Sequence, residues 1–334
     1  MPDQKQEPSA PSTPTPRPAD TTVPVSERIG AVAAKRRKRE QFFRGNETEK
    51  TETDTPGFLH YLTVVIIHFI LKAVGLFDRG VRNTHDMRLV RHDIVLPGLP
   101  PSFDGFQILH ISDFHFPRRF PAFAESLGDF LDGIEVDVCA LTGDYRYGYL
   151  GPADHVPEHL QTALRGVHAR HGVYAVLGNH DRLVTGDALE AAGFTVLFNE
   201  GVAIEKDGAT LWICGIDEPH YFRCDDVATA LRGRPANAPA VLLAHSPERV
   251  AKAAKAGVDL YLTGHTHGGQ IRFPLIGALV SNARCARSQI YGLWRYKTMT
   301  GYTTAGIGAT DVPVRFNCPP EAAVLTLRRE TSDN

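Results

Sequence analysis

The chain has 334 residues, 43% of them hydrophobic and 22% charged, with a net charge of −2. That is enough for one large domain with appendages, and it lacks the basic excess that would neutralise a nucleic-acid backbone, so no specific nucleic-acid partner is expected. Cys139, Cys214, Cys224, Cys285 and Cys318 are odd in number and have no paired CxxC spacing. They point to a reduced compartment and against a structural zinc site.

Residues 1–57 are rich in Pro, Thr, Ser, Glu and Lys, with no aromatic residue before Phe42. Such a segment buries too little apolar surface to offset its ordering entropy, and the expectation is a disordered polar tail. Within it, Lys35-Arg36-Arg37-Lys38-Arg39 is either a solvated charge run or a short basic helix suited to anionic lipid.

Residues 58–80 carry the only long apolar stretch, Phe58–Phe77, and are expected to form a membrane-associated helix. About 20 residues just meets the length needed to span a bilayer, whereas His60, His68 and Lys72 make a poor lipid-facing surface. An interfacial helix, a single span and a helix packed on the domain all remain open. Arg79, Arg82, Arg88 and Arg91 follow it and an acidic stretch precedes it, which places the domain on the cytoplasmic side of an inner membrane. The more distant basic cluster at 35–39 argues for the opposite, extracytoplasmic face.

Residues 88–329 have the pattern of a compact domain. Apolar runs recur at Ile94–Val95, Phe106–Ile111, Val136–Leu141, Val173–Leu177, Thr195–Phe198, Val202–Ile204, Leu211–Ile216, Val241–Leu243, Leu260–Leu262 and Ala323–Leu327. Between them lie helix-compatible stretches at Pro121–Leu131, His159–His171, Asp187–Ala192, Val227–Leu231 and Pro247–Lys255. The alternation predicts an α/β fold, and hairpin-like spacing around Glu205-Lys206-Asp207-Gly208 adds an antiparallel element, hence a mixed sheet.

Five apolar runs end in polar residues of one chemical kind: Ser112-Asp113-Phe114-His115, Thr142-Gly143-Asp144, Gly178-Asn179-His180-Asp181, Ala244-His245-Ser246 and Gly264-His265-Thr266-His267. Buried strands that each end in Asp, His or Asn place a site at the carboxyl edge of a sheet. In an extended segment His265 and His267 would point the same way, roughly 6–7 Å apart, which suits two neighbouring ions better than one. The donors are oxygen and imidazole without thiolate, a set suited to Mn²⁺, Fe²⁺, Zn²⁺, Co²⁺ or Ni²⁺ in open octahedral geometry. Their number exceeds what one ion takes; two ions about 3.5–4 Å apart fit, and suit displacement at phosphorus.

Together these blocks resemble the signature of the calcineurin-like metallophosphoesterases over roughly residues 104–328. Gly264-His265-Thr266-His267-Gly268-Gly269-Gln270-Ile271, with Thr304-Ala305-Gly306-Ile307-Gly308 and Pro313-Val314-Arg315-Phe316-Asn317, resembles the bacterial membrane-associated YkuE/YaeI-like phosphodiesterase branch. The resemblance implies a four-layer αββα sandwich of two mixed sheets. It also implies that Asp113, His115 and His267 bind one metal, that Asn179, His245 and His265 bind the other, and that Asp144 bridges them. His180 would face the leaving-group oxygen and Asp181 would orient His180 through its second ring nitrogen. The implied activity is a binuclear phosphoesterase, with Mn²⁺ the favoured ion, hydrolysing a phosphodiester or pyrophosphate by in-line attack of a metal-bridging hydroxide. A lipid-linked substrate such as UDP-2,3-diacylglucosamine fits the apolar stretch; a nucleotide phosphodiesterase and a non-catalytic scaffold of the same fold are the alternatives. Asn282, Arg284, Arg287, Arg315, Arg146, Tyr147 and Tyr149 are further candidates near substrate, Phe114, Phe116 and Phe120 form an apolar rim or core, and Asp217-Glu218-Pro219-His220 is expected to be a structural loop.

Overall fold

The computed structural model describes residues 23–45, 58–149, 152–278 and 281–330. Two six-stranded mixed sheets dominate it. Their strands in chain order are β1 (Arg88–Leu96), β2 (Gln107–Ile111), β3 (Val138–Leu141), β4 (Val173–Ala175), β5 (Thr195–Val196), β6 (Glu200–Lys206), β7 (Ala209–Gly215), β8 (Ala240–Leu243), β9 (Leu260–Thr263), β10 (Gly292–Tyr296), β11 (Met299–Thr303) and β12 (Glu321–Arg329). The first sheet runs β1-β12-β2-β3-β4-β5 and the second β10-β11-β9-β8-β7-β6. In the first, β12 is parallel to β1 and antiparallel to β2, and β2, β3, β4 and β5 are mutually parallel. In the second, β7, β8, β9 and β11 are parallel, flanked by antiparallel β6 and β10. β3, β8 and β9 are buried at every position, because parallel strands covered on both faces have no solvent side to fill with polar residues.

The polar tail and apolar stretch behave differently from expectation. Within residues 1–57, the described part 23–45 is not disordered: it forms α1 (Val25–Arg28) and α2 (Ala31–Gly45), while 1–22 and 46–57 lie outside the described residues. Val25 and Ala33 enter the core, and Arg28 pairs with Glu190 and Glu200. Composition undercounted this segment, because a few apolar residues and buried ion pairs anchor it to a surface supplied by the domain. The apolar run is not one helix either. It divides into α3 (Phe58–Ala73) and α4 (Phe77–Asn83) at Gly75, whose φ is +70°. Among the described residues no helix is long and apolar enough to cross a membrane. Leu62, Val65, Ile66, Phe69 and Ile70 are exposed, so this face of α3 is not packed on the domain. α4, by contrast, is tied down: its Gly80 carbonyl accepts the Arg315 amide, and Asn83 donates to the Arg315 carbonyl.

Ile108, Val138, Tyr174, Ile213, Val241, Leu243, Leu260 and Leu325 fill the space between the sheets. Outside the first sheet, α5 (Ala122–Phe130), α6 (Val156–Ala163) and α7 (Leu183–Ala191) bury Leu127, Leu160 and Leu189 against Leu109, Leu141 and Leu177. Outside the second, α8 (Val227–Ala230) and α9 (Val250–Lys255) bury Val227, Ala230 and Ala253 against Trp212, Leu242 and Tyr261. The four-layer αββα sandwich is therefore present. Each fully buried aliphatic side chain contributes about 1.5–3 kcal/mol, which makes the interlayer cores the main source of cohesion. The β6–β7 hairpin closes at Asp207-Gly208, both left-handed as a two-residue hairpin turn requires. The helix expected to reach His171 ends at Ala163, because the chain turns where Gly166 packs against Asp132.

The β10–β11 hairpin was not foreseen, and its composition explains why. β11 reads Met-Thr-Gly-Tyr-Thr, and its stability depends on Trp294 of β10 lying over Gly301, where no side chain fits. Replacing Gly301 with Ala should therefore destabilise the protein by about 1–3 kcal/mol through overpacking against the indole. A denaturant midpoint equal to wild type would contradict this packing.

Candidate metal centre

The loops after β2, β3 and β4 of one sheet and after β8 and β9 of the other meet at one edge of the sandwich. His245 lies two residues beyond β8, and its Nδ1 lies 2.7 Å from the Thr142 carbonyl beyond β3. Donation to that carbonyl aims its Nε2 into the site. Nε2 is then 3.1 Å from His265 Nδ1, 2.9 Å from Asn179 Oδ1 and 3.2 Å from Asp144 Oδ2. The Asn179 amide is oriented by Nδ2, which donates to the Tyr149 hydroxyl at 3.0 Å. On the other side, His115 Nε2 lies 3.1 Å from His267 Nε2, which is 3.4 Å from Asp113 Oδ1. Asp144 Oδ2 is 3.7 Å from His115 Nε2 and from His180 Nε2.

Imidazole nitrogens facing one another at about 3 Å have the separation of neighbouring ligands on one cation with bonds near 2.1 Å. Asp113 with His115 and His267, and Asp144 with His245 and His265, each bring three buried donor atoms close enough to hold an ion; so do His115, Asp144 and His180. The donor set thus fits divalent metal. All seven expected ligands come together, with His180 beside them.

The backbone is unusual where the donors sit. Asp113, His115, Asp144, His265 and His267 all have φ between +46° and +68°. Left-handed conformations of non-glycine residues cost about 1–3 kcal/mol each and persist only when surroundings impose them. Here the Asp113 carboxylate accepts the His265 amide, and the Asp113 and His115 amides donate to the Gly143 and Asp144 carbonyls. His265 and His267 are therefore not two residues of an extended segment. Left-handed turns at both send them to opposite sides of Asp144. Gly264 is required because a Cβ there would overlap the Asp113 carboxylate, and Gly178 because one there would overlap Asp144.

Asp181 departs from expectation. Its carboxylate accepts the amides of Gly178, Asp144 and Tyr145, and the His180 Nδ1 makes no hydrogen bond to it. It staples the loop after β4 to that after β3, because backbone amides reach it first. The His180 ring instead stacks on Tyr149, 4.0 Å between centroids, and packs edge-on against His115. Arg315 is fully buried and donates to the carbonyls of Ala305, Gly306, Gly308 and Cys318, so it organises the loops beneath His267. Arg287 holds the Ile276 and Ala278 carbonyls, the Arg284 amide donates to Glu248, and Phe114 and Phe116 belong to the core.

Above the donors opens a cavity lined by Asp144, Tyr149, Asn179, His180, His265 and His267, with Tyr221, Asn282, Thr310 and Asp311 completing the wall. Tyr221, Thr310 and Asp311 carried no sequence signal. His220, expected to belong to a structural loop, has its ring 4.6 Å from that of His265 and its Nδ1 in contact with Glu248. Asp217 and Glu218 behave as a structural loop: Glu218 accepts the Tyr221 and Phe222 amides.

Electrostatics follow from burial. Desolvation raises the Asp113 carboxyl to about 6. It opposes ionisation of Asp144 as well, but the adjacent His245, His180 and His115 overcome it and hold that carboxyl well below the usual range. Desolvation would lower His245 too; Asp144 and Asp113 instead push it up to about 10. Burial and neighbouring imidazoles lower His115 to about 3 and hold His265 and His267 well below the ordinary value. Most of the cluster is therefore neutral imidazole, the metal-binding form, around one carboxylate–imidazolium pair.

The Calcineurin-like phosphoesterase family profile matches residues 106–269. The chain is 30% identical over 269 residues to the uncharacterized metallophosphoesterase YkoQ of Bacillus subtilis, covering 78% of this chain and 97% of that one. The protein belongs to the calcineurin-like phosphoesterases. It is 30% identical over 257 residues to YkuE of the same organism, also an uncharacterized metallophosphoesterase, over 73% of this chain and 86% of the relative. Phosphodiesterase YaeI of Escherichia coli is 32% identical over 253 residues, 72% of this chain and 87% of its own. This calcineurin-like phosphoesterase is accordingly a hydrolase acting on phosphoester bonds, and the cluster at the sandwich edge lies where its family profile matches.

Because His245 is protonated below about 10 in the metal-free protein, a cation must displace its proton. Titrating metal-free protein with Mn²⁺ at pH 8, in buffers of different ionisation enthalpy, should release about one proton per protein. Binding without proton release would contradict the Asp144–His245 pairing.

Proposed function

We propose that this chain hydrolyses phosphodiesters or pyrophosphates with two divalent cations, Mn²⁺ foremost. Asp113, His115 and His267 would hold one, Asn179, His245 and His265 the other, with Asp144 placed between the two groups. The observation that carries this reading is the position of Asp144 Oδ2, 3.7 Å from His115 Nε2 on one side and 3.2 Å from His245 Nε2 on the other. Cations held there, when bound, lower the pKa of water toward neutrality and offset charge on phosphoryl oxygens.

The remaining steps belong to the protein's own side chains. His180 faces the cavity, stacked on Tyr149, and donates a proton to the departing oxygen. Tyr221 and Asn282 line the cavity on the approach of substrate. The relative YaeI, a phosphodiesterase by name, supports diester over monoester chemistry. The exposed apolar residues of α3, followed by Lys72, Arg79 and Arg82, support attachment to an anionic membrane surface on its cytoplasmic side, and with it a lipid-linked substrate such as UDP-2,3-diacylglucosamine.

With Mn²⁺, bis-p-nitrophenyl phosphate and UDP-2,3-diacylglucosamine should be turned over faster than p-nitrophenyl phosphate. Asp144→Asn should lower turnover by about 10²-fold or more while the protein remains folded by circular dichroism. Wild-type turnover by that variant would sink the assignment. Ile66→Asp with Phe69→Asp should abolish cosedimentation with phosphatidylglycerol vesicles and leave bis-p-nitrophenyl phosphate turnover intact; retained sedimentation would rule out α3 as the membrane contact.

A further inference from the structure

α2 precedes the residues that match the family profile, yet it grips two stretches of the site wall. Arg36, near its centre, is fully buried. Its Nη2 donates to the Asp181 carbonyl at 2.8 Å, and its guanidinium carbon lies 3.3 Å from the centre of the Phe222 ring. One turn on, Glu40 accepts the Leu183 amide at 2.9 Å, and Arg39 donates to the Phe222 carbonyl. The residues held are the immediate neighbours of the cavity: His180 precedes Asp181, and Tyr221 precedes Phe222.

Stability alone is a poor explanation for Arg36. Its Nε stands 3.6 Å from Asp217 Oδ1 and 3.4 Å from Glu40 Oε1, and neither contact is a hydrogen bond. A buried ion pair of this kind is often no more stabilising than apolar residues of similar volume. What an apolar residue would not supply is the donor to the Asp181 carbonyl. That bond fixes the Asp181–Arg182 peptide, one residue beyond His180, while the loop on its other side is fixed by the Asp181 carboxylate.

We propose that Arg36 is a positioning residue: from α2 it sets His180, and with it the Tyr221 side of the cavity, for transfer of a proton to the leaving oxygen. The inference rests on the reading of His180 given above. A misplaced proton donor matters little when the leaving group departs readily as an anion and greatly when it does not. Loss of Arg36 should therefore depend on the leaving group.

The test uses the full chain with Mn²⁺ and aryl methyl phosphate diesters whose leaving phenols run from p-nitrophenol to unsubstituted phenol. Three proteins are compared at a temperature well below each unfolding midpoint, with metal content measured: wild type, His180→Asn, and Arg36→Met combined with Asp217→Asn, so that position 217 is left without an unpaired charge and Glu40 keeps the Leu183 amide. For His180→Asn, turnover should fall by about 10²-fold or more with phenol and far less with p-nitrophenol. The Arg36 variant should follow the same pattern, with about a tenfold or greater loss on phenol, unchanged KM and unchanged metal content. In a fourth protein, Arg36→Ala, added guanidinium should restore turnover of the phenyl ester. If His180→Asn loses activity equally across the series, the role of His180 falls and the present proposal with it. If His180→Asn is sensitive to the leaving group but the Arg36 variant matches wild type, or declines uniformly with a lowered midpoint or lost metal, Arg36 is packing only and the proposal is overturned.

Discussion

One buried carboxylate, that of Asp144, organises the site. It is buried at the floor of the cavity with three imidazole Nε2 atoms within 3.7 Å. An anion there must have compensating charge, and the surrounding nitrogens must have something to bind. Proton or cation can answer both needs, and everything nearby is arranged to keep the arrangement from relaxing. The His245 ring is turned by the Thr142 carbonyl, the Asn179 amide by Tyr149, and the loops by the Asp181 carboxylate and the Arg315 guanidinium. The left-handed backbone at five donors is the conformational cost of pointing them all inward.

The sandwich is what brings the donors together. Asp113, His115, Asp144 and Asn179 follow strands of one sheet, whereas His245, His265 and His267 follow strands of the other. Two of the three groups of donors span this divide, as in Asp113 with His267 and Asp144 with His245. Cation binding and sheet packing are thereby linked: an ion that binds only the closed site stabilises the closed sandwich. Arg315 extends this linkage outward, because the backbone of the same residue is hydrogen-bonded to α4, which continues from the exposed apolar helix.

The N-terminal region shows how composition can mislead. A polar, basic segment lacks the apolar surface to fold alone, yet residues 25–45 dock through Val25, Ala33, Arg28 and Arg36. The docking surface already carries the acceptors Glu190, Glu200 and the Asp181 carbonyl, and the carboxylate of Asp217 beside Arg36. A charge run that reads as solvated from its own composition becomes structural when the partners are distant in sequence.

The α/β class, the mixed strand pattern, the Asp207-Gly208 hairpin and the seven residues that meet at the sandwich edge were legible in the sequence, because each depends on local order: an apolar run, a turn residue, a polar residue at a strand end. What only the tertiary structure decided depends on contacts between distant segments. It turned Asp181 from a partner of His180 into a staple of three amides, and assigned Arg315 to loop carbonyls. It also sent His265 and His267 apart through left-handed turns, and added Tyr221, Thr310, Asp311 and Arg36 to the surroundings of the site. A sequence specifies which donors a chain owns; which acceptor each one reaches is set by how the two sheets close.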